Sequence, residues 1–105
     1  MQDICLEFFT EEDKRHDGRL VHEWLLDLAL GLGLPGGSVF RTIAGYGRHH
    51  RKYDQDHVEL QGRLPMAIVF ALSEAQGEQL LQHLQDAKLD LFYMRTPVEY
   101  GYTGG

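Results

Sequence analysis

Gly45-Tyr46-Gly47-Arg48 is the segment of this 105-residue chain with the residue types to hold a phosphate. Two glycines leave the backbone bare, so its N–H groups can approach a phosphate closely. The arginine beside them can grip two phosphate oxygens at once. The glycine pair alone is a weak signal, because many hairpin corners look the same. Next come His49, His50, Asp54, Asp56 and His57, the side-chain types that hold transition metals. Adjacent His49 and His50 would point apart in an extended chain, and His50 and His57 need a turn to converge. A solvated, charged loop is therefore favoured there over a metal site.

Two other groupings carry charge. Glu11, Glu12 and Asp13 with His16 could serve acid–base chemistry, but no serine or cysteine stands beside a convincing base, and catalysis needs three groups together. The expectation is a solvated turn with helix-capping charge, and no enzyme. Arg41 sits in an otherwise apolar stretch and reads as half of an ion pair, its expected partner a carboxylate such as Glu7 or Glu99 across a subunit boundary.

Net charge bounds the partners. A formal charge of -6 argues against a nucleic-acid grip. Positive charge is nevertheless concentrated mid-chain at Arg48, Arg51, Lys52 and Arg63. The single cysteine, Cys5, excludes an intrachain disulfide and reads as a small apolar residue. No apolar run approaches the roughly 20 residues that span a bilayer. Gln2 and Asp3 are not a basic leader, so the expected location is cytoplasmic.

The elements that must position these residues follow from periodicity. Ile4 to Phe9 is apolar and strand-like, and Asp17 reads as a helix N-cap. Val21, Trp24, Leu25, Leu28 and Leu32 recur at helical spacing, ended by Gly31, Gly33 and Pro35. Ser38 to Ala44 predicts a second strand, and residues 48–62 a long connecting loop with a strand-like stretch from Val58 to Leu60. Pro65 to Leu72 predicts a third strand. Ser73 and Gln76 form a capping box before a helix carrying Leu80, Leu81 and Leu84, in which Gly77 is unfavourable by about 1 kcal/mol. Leu89 to Arg95 predicts the fourth strand, followed by a tail with Tyr100 and Tyr102.

The order is βαββαβ. It predicts one α+β domain over residues 1–105, a ferredoxin-like sandwich with an antiparallel four-stranded sheet and both helices on one face. In the third strand Met66, Ile68 and Phe70 alternate with Ala67, Val69 and Ala71, so both of its faces call for burial. Two helices cover one face, and copies of the same chain are expected to cover the other.

The run Ser38-Val39-Phe40-Arg41-Thr42-Ile43-Ala44-Gly45-Tyr46-Gly47 resembles the "GATVxRGIxGFG" signature of a PII-like family, domain of unknown function one hundred and ninety. The acidic turn with His16 and Gly18, the Gly33-Leu34-Pro35-Gly36-Gly37 turn and Leu64-Pro65 follow its pattern in order, across about residues 4 to 98. Ser38, Thr42 and Tyr53 depart from the usual alanine, glycine and histidine.

The resemblance implies a trimeric signalling or adaptor protein. It implies a small molecule, an adenine nucleotide, in the clefts between subunits, and a flexible loop that meets an unidentified protein target of the transporter or enzyme kind. Gly45-Tyr46-Gly47-Arg48 matches the run that leads into that loop in PII proteins, with His49 for the usual glutamine. Asp86-Ala87-Lys88 stands where PII proteins carry a glycine-rich phosphate loop; it keeps an acid and a lysine but no glycine. The residues expected to meet ligand are Arg41, Gly45, Tyr46, Gly47, Arg48 and Lys88, and those expected to meet the partner are His49, His50, Arg51, Lys52 and Tyr53. The alternative is a metal sensor or tolerance protein using His49, His50 and His57.

Overall fold

The computed structural model describes residues 2–46, 52–54 and 64–105. In chain order the elements are β1 (Asp3–Glu11), β2 (Arg15–His16), β3 (Arg19–Leu20), α1 (Val21–Gly31), β4 (Gly37–Arg41), β5 (Ala44–Tyr46), β6 (Lys52–Asp54), β7 (Pro65–Ser73), α2 (Glu74–Asp86) and β8 (Phe92–Val98). The main sheet runs β4-β7-β1-β8, antiparallel at each pairing. This is the expected ferredoxin-like α+β arrangement, with β4 and β8 as its two edges.

β1 explains the layering. Its residues are alternately buried and half-buried along its whole length, the signature of a strand with one face under cover. Ile4, Leu6 and Phe8 face the helices and join Leu25, Ala29, Ile68, Phe70, Leu72, Leu80 and Leu84 in one core. Phe8 and Phe70 meet edge to face, 6.1 Å apart.

Local capping chemistry starts one helix and not the other. At α2 the capping box forms: Gln76 N–H donates to the Ser73 hydroxyl, and Ser73 N–H donates to the Gln76 side-chain oxygen. α1 has no side-chain cap; Leu20 stands at its N-cap. Asp17, expected there, instead forms a two-residue turn with Gly18 between β2 and β3. Both turn residues have positive φ, 52° and 81°, as a type I′ hairpin requires and as an Asp-Gly pair tolerates.

Gly77 has a packing reason to be glycine. A Cβ there would lie 2.4 Å from Ile4 Cδ1, so α2 rests directly on β1. Gly77→Ala gains helix propensity of about 1 kcal/mol but overpacks the contact at a cost of about 1–3 kcal/mol. The expected net result in urea denaturation is a loss, recovered when Ile4→Val removes the colliding methyl. A stabilised Gly77→Ala single variant would contradict this close approach.

Candidate functional site

The signature strand ends abruptly. β4 stops at Arg41, and Thr42 turns the chain by donating twice to the Pro65 carbonyl, through its backbone N–H (3.0 Å) and its hydroxyl (2.9 Å). Ala44 to Tyr46 then leaves the main sheet and pairs with Lys52 to Asp54 as a separate hairpin, Gly45 opposite Tyr53. The expected strand over Ser38–Ala44 is thus two pieces with a corner between them. The corner carries the Gly45-Tyr46 run off the end of the sheet, where the Tyr46 ring is exposed.

Arg41 is held within its own chain. Its Nη2 lies 2.5 Å from Glu12 Oε2, a charge contact without the angles of a hydrogen bond. Within the single chain Arg41 meets Glu12, whereas Glu7 and Glu99 were expected only from a neighbouring subunit. The register explains it: Arg41 and Thr10 both oppose Met66, so the helix side of β1, two residues on, brings Glu12 to the end of β4. The pattern of single residues gave no sign of this pairing. Nor did it single out Thr10, whose buried hydroxyl has no hydrogen-bond partner among the described residues.

Lys88 stands in the turn between α2 and β8. α2 closes on Ala87, and Leu89 N–H reaches back to the Leu84 carbonyl while Lys88 N–H reaches Gln85. This closure places Lys88 at φ 56°, a position where glycine is usual. Lys88→Gly is expected to stabilise the fold by about 0.5–1 kcal/mol in chemical denaturation; a loss of stability would show that the lysine side chain holds the turn. The closure also uses Leu89 as a buried helix stop, so the last strand starts at Phe92 rather than Leu89. Leu89, Asp90 and Leu91 line an open groove of about 210 Å³ together with Phe8, Leu81 and Tyr93.

Both sets of residues lie at the same end of the molecule. β1 runs toward Glu11, where β4 ends and β7 begins, and α2 returns to that end. Lys14 ties the end together by donating from Nζ to the Asp90 carbonyl at 3.4 Å. Yet Arg41 ends the edge strand β4, with Gly45 and Tyr46 just beyond it, while Lys88 lies in the turn that leads to the opposite edge strand β8, and β7 and β1 stand between those strands. Gly47, Arg48, His49, His50, Arg51 and His57, and the stretch Val58 to Leu60, lie outside the described residues; Lys52 and Tyr53 fall in β6. Among the described residues no group of three metal-ligating side chains converges, and no helix is long and apolar enough to cross a membrane.

The helix-free face of the sheet is apolar. Phe40, Ala67, Phe9 and Phe92 form one row across all four strands, and Ser38, Val69, Glu7 and Met94 the next. Phe92 is 63% exposed and Phe40 57%. Arg95, on the opposite face of β8, is engaged by Glu78 and by Glu74 at 3.4 Å, and the Glu78 hydrogen bond raises its pKa above the usual arginine value.

Comparison with known proteins agrees with this architecture. A curated relative, the UPF0166 protein of Aquifex aeolicus (strain VF5), is 31% identical over 80 residues, 76% of each chain. Among solved structures, CPII from Thiomonas intermedia K12, a nitrogen regulatory PII-like protein bound to ADP, AMP and bicarbonate, superimposes with a TM-score of 0.64 at 20% identity, over 97% of this chain and 96% of that one. A putative PII-like signalling protein from Thermus thermophilus gives a TM-score of 0.59 at 17% identity, over 92% and 87%. The DUF190 family model, described as "Uncharacterized ACR", matches residues 4–100, and the chain belongs to that family.

Proposed function

We propose that this chain is a PII-like regulatory protein, not an enzyme, that assembles as a homotrimer and binds an adenine nucleotide in the clefts between subunits. The observation that carries the reading is the division of the candidate ligand residues between opposite edges of one sheet. A single chain holds Arg41 at the end of the edge strand β4 and Lys88 in the turn that leads from α2 to the opposite edge strand β8, with β7 and β1 between the two strands. In a ring of subunits the β8 edge of one copy adjoins the β4 edge of the next, which closes that distance.

The fold likeness to a protein bound to ADP and AMP favours an adenine nucleotide as the occupant. Arg48 and Lys88 would face its phosphates, with the glycine backbone at Gly45 and Gly47 approaching closely. Arg41, paired with Glu12, would act as a strut beneath the loop rather than as a phosphate anchor. Nucleotide in the cleft would favour one state of the loop at 48–62, and that state would present His49 to Tyr53 to a protein target.

Thermal unfolding against ATP, ADP, AMP, cyclic nucleotides and divalent metals tests the reading. A ligand at about 100 times its dissociation constant stabilises by about 2.7 kcal/mol, a shift of several degrees. A shift with adenine nucleotides that disappears in Arg48→Ala is expected. A shift with metals alone, lost when His49, His50 and His57 become alanine, would replace this reading with the metal-sensor alternative.

A further inference from the structure

We propose that Glu12 is a positioning residue for the nucleotide: by holding Arg41 it fixes the direction in which the Gly45-Tyr46 run leaves the sheet. The inference rests on the reading that this run meets an adenine nucleotide. It gives the acidic turn after β1 a part in ligand binding.

Three strand ends form a bracket here. Leu64 precedes β7 and is fully buried, and Pro65 opens that strand. The Leu64 carbonyl accepts from the Glu12 N–H at 2.8 Å. The Pro65 carbonyl accepts from both the N–H and the hydroxyl of Thr42. Two consecutive carbonyls thus tie down the chain on the β1 side and on the β4 side of β7. The Arg41–Glu12 pair closes the bracket from one side to the other. Only Ile43 then separates Thr42 from β5. One residue spans at most about 3.6 Å, so a shift of the bracket passes to Gly45 with little slack to absorb it.

The pair is charged and only partly wet. Glu12 Oε2 is buried, and about half of the Arg41 side chain stays exposed. Neutralising Glu12 takes this counter-charge from the guanidinium and loosens the bracket. The sign of the effect on binding is diagnostic. A carboxylate near a phosphate repels it. If Glu12 acted on ADP by its field alone, neutralising it would tighten binding. If it acts by holding Arg41, neutralising it weakens binding.

Calorimetric titration of ADP into wild type, Glu12→Gln, Arg41→Gln and the double variant tests this. The temperature is one at which far-ultraviolet circular dichroism shows all four folded. Glu12→Gln is expected to weaken ADP binding about tenfold, within the range of residues that act without touching the ligand. Arg41→Gln is expected to match it. In the Arg41→Gln background the Glu12 substitution should change affinity by less than about twofold, because its partner is already gone. Equal or tighter binding by Glu12→Gln overturns the proposal, even if its melting temperature falls, since that is the mark of a purely structural pair. Equal losses in both backgrounds overturn it too, because Glu12 would then act without Arg41. Loss of all binding in Arg41→Gln would make Arg41 a ligand residue and overturn it as well. If wild type itself binds no ADP, the nucleotide reading fails and the proposal falls with it.

Discussion

Phe92→Glu is expected to split the assembly into folded single subunits. The ring is 63% exposed in one chain and touches Phe9 at a centroid distance of 5.6 Å. Its loss therefore costs the subunit only a ring pair, about 0.5–1.5 kcal/mol. Placed against the apolar face of a second copy, the new carboxylate would have to shed its water, at a cost of several kcal/mol per ion. Light scattering should report a threefold drop in mass, while far-ultraviolet circular dichroism keeps its shape. Persistence of the full mass would place the interface elsewhere.

Phe70→Ala should have the largest effect on folding. Phe70 is 1% exposed on β7, packs on Phe8, and its ring closes over Gly37, where an added Cβ would lie 2.5 Å from Phe70 Cε1. β4 is an edge strand joined to the sheet through β7 alone, so the ring also anchors the strand that leads to Gly45. Truncating a buried phenylalanine costs about 3–5 kcal/mol, a large part of the roughly 5–15 kcal/mol that holds a domain together. The unfolding midpoint should fall by more than about 12 °C at fixed protein concentration. A fall of only a few degrees would mean that the neighbouring side chains collapse into the space.

The parts of the fold that were legible in the sequence are those whose signals are local. α1 was readable from Val21, Leu25 and Leu28 at helical spacing, and α2 from the Ser73–Gln76 box, whose reciprocal hydrogen bonds form. β7 was readable as a strand from its run of apolar residues, and the structure buries its helix side while Val69 and Ala71 on the other face are half-buried. What escaped depends on contacts far apart in the chain. The β2–β3 hairpin has two residues per strand, too few for a period, so Asp17 looked like a cap rather than a turn. The break at Thr42 depends on the Pro65 carbonyl, 23 residues away. The last strand starts three residues late because Leu89 is used to close α2, and an apolar run does not show which of its residues stops a helix. Arg41 was marked as an ion-pair residue from its surroundings alone, but its partner follows only from the register of β4 and β1 on β7.

The candidate site was legible as a set of residue types and not as a place. Gly45 and Lys88 each carry a local mark, a glycine–aromatic–glycine run and a lysine just past a helix. That one follows the edge strand β4 and the other precedes the opposite edge strand β8, at one end of the sheet, follows from strand order, which no local motif encodes.

Calorimetric titration of ADP into wild type and into the Phe92→Glu subunit, at one salt concentration, tests the central claim most directly. The account predicts saturable binding of one nucleotide per chain to the wild-type assembly and none to the separated subunit. Binding of equal affinity to the separated subunit, or no binding to either, would contradict a nucleotide site built between copies.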